Sequence, residues 1–104
     1  MKGFGDMMNM MKQAQKLQQQ MAETQERLAA ERFESSAGGG LVKAVVDGRQ
    51  ALRGLTISPA ALADGDAGLL EDLILTAVGE AQRVSEAHMR EEMGRLTGGL
   101  GLPL

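Results

Sequence analysis

The side chains with catalytic potential are few and poorly spaced for catalysis. The single histidine, His88, sits in a Glu-, Ala- and Arg-rich stretch of a chain that has no cysteine. It therefore has no thiol to activate, and no serine stands in evident partnership with it, as an acyl-transfer set requires. The paired carboxylates Glu71-Asp72 and Glu91-Glu92 are adjacent. Neighbours on a helix point to different faces, which suits neither acid/base work nor a two-metal centre. One His and no Cys leave no zinc-ligand spacing. Gly38-Gly39-Gly40 precedes a β-branched run instead of opening a helix after a strand, so it lacks the context of a phosphate-binding loop. The expectation is a chain with no catalytic residue, no metal and no cofactor.

What remains is contact with a polyanion. Lys12, Gln13, Gln15 and Lys16 fall close together in a segment, residues 1–20, whose net charge is +2. Lysine suits phosphate, and glutamine can bond sugar, phosphate or base edges; the alternative is a solvated helix face. A second cluster, Lys43, Arg49 and Arg53 against Asp47, is also +2. The chain as a whole is −3, because residues 59–104 hold eight acids and three bases. Salt screens charges beyond roughly 10 Å, so the basic clusters can act apart from the total. Phe4 and Phe33 are the only aromatic residues, so stacking on single strands or RNA is not expected.

The elements that position these residues begin with a helix over 6–31. It contains no Pro and no Gly, and is rich in Met, Gln, Ala, Glu, Leu and Lys. Met7, Met10, Ala14, Leu17, Met21, Thr24 and Leu28 recur at steps of three and four, an a/d seam for core or helix pairing. Asp6 is the expected N-cap. Residues 30–37 read as a strand with Phe33 inward, and three glycines then lead into the stretch around which the chain is organised, Leu41 to Ile57. There a β-branched run is broken by Asp47-Gly48, the signal of a hairpin. A two-residue loop would set Val46 against Arg49, Ala44 against Ala51 and Val42 against Arg53; a longer loop is the alternative, because that register places basic residues on an apolar face. Both faces of the hairpin carry apolar residues, so one is expected on a helix and the other on a partner subunit. The candidate dimer seam is Leu41, Val42, Ala44, Val45, Val46, Leu52 and Leu55. Ser58-Pro59 reads as a capped helical turn. A last helix is expected over 68–93, apolar at Leu70, Leu73, Ile74, Ala77, Ala81, Val84 and Ala87.

At 104 residues the chain makes one domain at most, expected over 1–96 with a flexible Gly-rich tail at 97–104. Its N-terminus lacks the apolar run of a signal peptide and no segment is long enough to span a bilayer, so the expected address is cytoplasmic, with no membrane partner.

Taken together, Met10-Met11-Lys12-Gln13-Ala14-Gln15-Lys16-Leu17-Gln18, Gly40-Leu41-Val42-Lys43 with Asp47-Gly48, and Leu69-Leu70-Glu71-Asp72-Leu73 resemble the YbaB/EbfC family of small bacterial nucleoid-associated proteins. The resemblance spans nearly the whole chain and rests on the combination of short motifs. It implies an α+β protomer of order α-β-β-β-α, with a three-stranded antiparallel sheet. It further implies a tweezer-like homodimer with projecting helical arms, double-stranded DNA as partner and location at the nucleoid. On that basis Lys12, Gln13, Gln15 and Lys16 lie on an arm, while Lys43, Arg49 and Arg53 are candidates for the floor between arms. One departure is Gly79-Glu80, where relatives often have Asn-Asp. A second reading, from another class, is an adaptor that uses its Met-rich seam and acidic last helix to recruit DNA repair or replication proteins.

Overall fold

The computed structural model describes residues 2–98 as α1 (Lys2–Ala29), β1 (Arg32–Ala37), β2 (Val42–Asp47), β3 (Leu52–Ile57), a four-residue α2 (Pro59–Leu62) and α3 (Ala67–Gly98). The strands form one antiparallel sheet in the order β1-β2-β3, as the sequence predicts. β1 and β2 are joined through Gly38, Gly39 and Gly40, all at positive φ, a region open to glycine at little cost. Ser58 caps α2, its hydroxyl accepting from the Ala60 N–H with Pro59 behind it. Asp66 caps α3 by accepting from the Leu69 N–H at 3.0 Å.

The core lies between α3 and one face of the sheet. Val42, Ala44 and Val46 alternate along β2 and are fully buried, against Ala77 and Ala81 of α3. Small residues on α3 let the helix sit close to the sheet, and Phe33, Ile57, Leu70, Leu73, Ile74 and Val78 close the rim. Leu28 of α1 is also fully buried; it and each of the two valines gain about 1.5–3 kcal/mol by leaving water.

Several expectations change. Val42, Ala44 and Val46 belong to the protomer's own core, so they leave the dimer seam: α3 already covers them. The hairpin takes the longer loop, pairing Val42 with Ile57, Ala44 with Leu55 and Val46 with Leu52, with a bulge at Val45/Val46. Gln50, not Gly48, has positive φ. The stripe of α3 turns inward at Ser85, leaving Val84 and Ala87 exposed. α1 begins at Lys2, so Asp6 lies inside it, and α3 runs through Gly94 to Gly98 with Thr97 buried. The boundary expected after residue 96 thus falls within a helix; residues 99–104 of the expected tail lie outside the described residues.

The heptad seam of α1 is used over half its length. Thr24 and Leu28 are buried and Leu17 and Met21 half-buried against α3, whereas Met7 and Met10 are exposed. The helices run antiparallel, since Arg27 pairs with Glu92 and Glu31 with His88. That register brings Gly98 level with about Met21, so α1 before Leu17 projects past the described end of α3. The molecule is accordingly 77 Å long and 21 by 16 Å across.

Candidate nucleic-acid interface

The sequence-predicted cations separate into two places. Lys12, Gln13, Gln15 and Lys16 are exposed on the projecting part of α1. With a rise of 1.5 Å per residue, Lys16 and Lys12 stand about 20 and 25 Å along the helix from its junction with the sheet. Four residues apart, they share a stripe turned about 130° from the packed stripe of Leu17, Met21, Thr24 and Leu28. Among the described residues, neither lysine enters an ion pair. Their charge is therefore available to a ligand.

The sheet cations are differently placed. Ser36, Lys43 and Thr56 line up across the three strands on the face away from α3, and all are exposed. Lys43 Nζ lies 3.4 Å from Glu34 Oε1, a pair open to water on both sides and so worth little. Arg53 Nε donates to Asp47 Oδ2 at 2.8 Å. Arg49 contributes its backbone N–H to Asp47 Oδ1, while its guanidinium makes no ion pair among the described residues.

Asp47 is the hub of this region. Its carboxylate accepts from the N–H groups of Ala51 (3.0 Å) and Arg49 (2.9 Å) as well as from Arg53. The Ala51 N–H first, and Arg53 second, hold its pKa below the ordinary 3.8. Its carbonyl accepts from the buried Ser85 hydroxyl at 2.8 Å. Beside it, a Cβ on Gly48 would lie 2.0 Å from the Leu28 carbonyl oxygen. The hairpin loop is thus tied to both long helices at the base of the arm. The sequence marks Asp47-Gly48 only as a turn; the carboxylate's three donors come from residues two, four and six positions on, and Ser85 from 38 positions on.

The described residues contain no group of three or more His, Asp or Glu placed to hold a metal ion, and no helix among them is long and apolar enough to cross a membrane. The geometry offers a long exposed helix carrying unpaired lysines, set on a small sheet whose outer face is polar. The sequence model of the YbaB/EbfC DNA-binding family matches residues 2–100. The chain belongs to that family. It is 48% identical over 99 residues to a nucleoid-associated protein of Pelotomaculum thermopropionicum, covering 95% of this chain and 94% of that one. A nucleoid-associated protein of Clostridium perfringens is 48% identical over 101 residues, covering 97% and 90%. One from Rhodopseudomonas palustris is 45% identical over 100 residues, covering 96% and 94%. The crystal structure of an uncharacterized protein from Helicobacter pylori superposes with a TM-score of 0.75 at 16% identity, covering 84% of this chain and 91% of that one, a likeness of fold. YbaB/EbfC is a DNA-binding family and not an enzyme family.

Proposed function

We propose that this YbaB/EbfC protein binds duplex DNA as a homodimer at the bacterial nucleoid, through phosphate and shape contacts with weak or no sequence selectivity. The observation that carries the reading is the pair Lys12 and Lys16, unpaired on an exposed helix in a chain of a DNA-binding family. Two-fold pairing doubles the local charge of the arm segment and gives the duplex two points of attachment. Binding by phosphate neutralisation releases counterions, so affinity falls as salt rises.

A specific surface supports the homodimer. α3 covers β1 and β2 but barely touches β3, the edge strand. Leu52 (49% exposed) and Leu55 (41%) pair with Val46 and Ala44 on the inner face, yet nothing in the protomer covers them. Leu75 of α3, 71% exposed, lies two turns before Gln82, whose amide reaches the Gln50 carbonyl in the β2–β3 loop; Leu75 therefore flanks the same side. A contiguous apolar patch of this kind marks an interaction surface. A two-fold axis there would bury it against its own copy.

Titration of labelled duplexes of two unrelated sequences at low and physiological salt tests the proposal. The expected result is similar affinity for both, falling steeply with salt. Absence of binding at low salt, or binding indifferent to salt, overturns it.

A further inference from the structure

A second functional face runs along the same arm. Phe4 (67% exposed), Met7 (57%), Met8 (43%) and Met11 (57%) stand at i, i+3, i+4 and i+7 of α1. That spacing makes one apolar stripe, centred well over a quarter turn from the Lys12–Lys16 stripe. It is the pattern by which a helix anchors into a groove on a partner. The sulfur-bearing side chains suit such a surface because they adapt to irregular cavities.

At the opposite end of the molecule, Ala61, Leu62, Gly65, Asp66, Ala67 and Leu70 line an open apolar cavity of about 180 Å³ between α2 and the start of α3. It is smaller than the roughly 300–1,000 Å³ typical of a small-molecule pocket, and is sized for side chains. Leu62 at its mouth is 56% exposed. Between Arg53 and Arg83 the chain has five acids and no base, with Asp64, Asp66, Glu71 and Asp72 clustered in sequence about this cavity. The arm segment 1–20, by contrast, is +2.

Arm and cavity cannot meet within one protomer. α1, together with the part of α3 from Ala67 to His88, accounts for about 74 Å at helical rise, against a long dimension of 77 Å. The Phe4–Met11 segment and the cavity therefore lie near the two extremes.

We propose that the arm of one copy docks its Phe4, Met7, Met8 and Met11 stripe into the acid-rimmed cavity between α2 and α3 of a second copy. The contact is heterologous, joining two different surfaces, and so it propagates into open-ended chains instead of closing on itself. It is separate from the β3 surface, requires no DNA, and is weakened by salt.

The absence of cysteine makes the test direct. Proteins carrying Met8→Cys alone and Leu62→Cys alone are mixed in glutathione disulfide, which oxidises the two thiols to one disulfide. The expected result is a mixed dimer in several-fold excess over either protein alone and over Met8→Cys mixed with the control Glu91→Cys. In sedimentation velocity on the full chain, species heavier than the dimer should grow with concentration. They should be lost in Met7→Glu with Met11→Glu and in Leu62→Glu, and return when those two variants are mixed. All substituted sites are exposed, and far-UV circular dichroism verifies folding. A mass that never exceeds the dimer, cross-linking no greater than the control, or Met8→Cys linking mainly to itself regardless of Leu62→Glu overturns the proposal.

Discussion

Lys12→Ala with Lys16→Ala isolates the phosphate contribution of the arm. Alanine is the best helix former, so α1 keeps its propensity while losing two charges. In the duplex, each phosphate neutralised contributes about 0.9 to the slope of log K against log salt, equivalent at 0.1 M salt to about eightfold in affinity over a 1 M reference. A homodimer carries four such lysines. With one phosphate per lysine, the variant should flatten the slope by about 3.6 and weaken binding at 0.1 M salt by about three orders of magnitude. The contrasting variant is Lys43→Ala with Arg53→Ala. These cations already face Glu34 at 3.4 Å and Asp47 at 2.8 Å, so DNA must compete with a carboxylate and the slope should change far less. Fluorescence anisotropy of a labelled duplex across about 50–200 mM salt reads both. A slope unchanged in the arm variant, or flattened equally in the sheet variant, refutes the division of labour between arm and sheet.

Gly48→Ala must push the loop away from α1, because its Cβ would stand 2.0 Å from Leu28 O and 2.4 Å from Leu28 C. Backbone yields less easily than side chain, so the cost is about 1–3 kcal/mol, seen as a Tm lower by about 4–8 °C per kcal/mol; a melt coincident with wild type contradicts it. In Asp47→Asn the loss of stability should be greatest at neutral pH. The depressed pKa means that the carboxylate stabilises the fold above the unfolded value near 3.8, and that this contribution disappears as the pH falls through the lower folded value. Urea midpoints at pH 7 and in acid should therefore converge between variant and wild type; a constant gap counts against the role of the charge. Leu52→Asp with Leu55→Asp places charges on the uncovered inner face of β3 and should shift mass from dimer to monomer in sedimentation equilibrium. A dimer of unaltered affinity would place the two-fold elsewhere.

Much of the architecture was legible because local rules and the fold agree. The glycine run, the alternation of Val42, Ala44 and Val46, the Ser58-Pro59 cap and the Pro-free first helix each specify their element from neighbouring residues alone. The register of the hairpin was not legible in the same way. Asp47-Gly48 fits a two-residue turn, but the Asp47 carboxylate gains more donors by reaching Arg49, Ala51 and Arg53, and so holds a longer loop. Gly48 is needed for a different reason than turn chemistry: it gives the backbone of Leu28 room to approach. The stripe on α3 was misplaced by one residue at Ser85 for a related reason. Its hydroxyl has a buried acceptor, the Asp47 carbonyl, that no helical period reveals.

The sequence by itself determined the order of elements, the absence of thiol chemistry and the two basic clusters, since these depend on residue type and near-neighbour spacing. Tertiary structure decided which apolar residues remain available. α3 lies over β1 and β2 and not β3, which consigns Val42, Ala44 and Val46 to the core and leaves Leu52 and Leu55 open. It also decided which cations are unpaired, because an ion pair such as Arg53 with Asp47 depends on where the folded chain brings a carboxylate. Lys12 and Lys16 remain free because α1 extends past the point at which α3 could meet it.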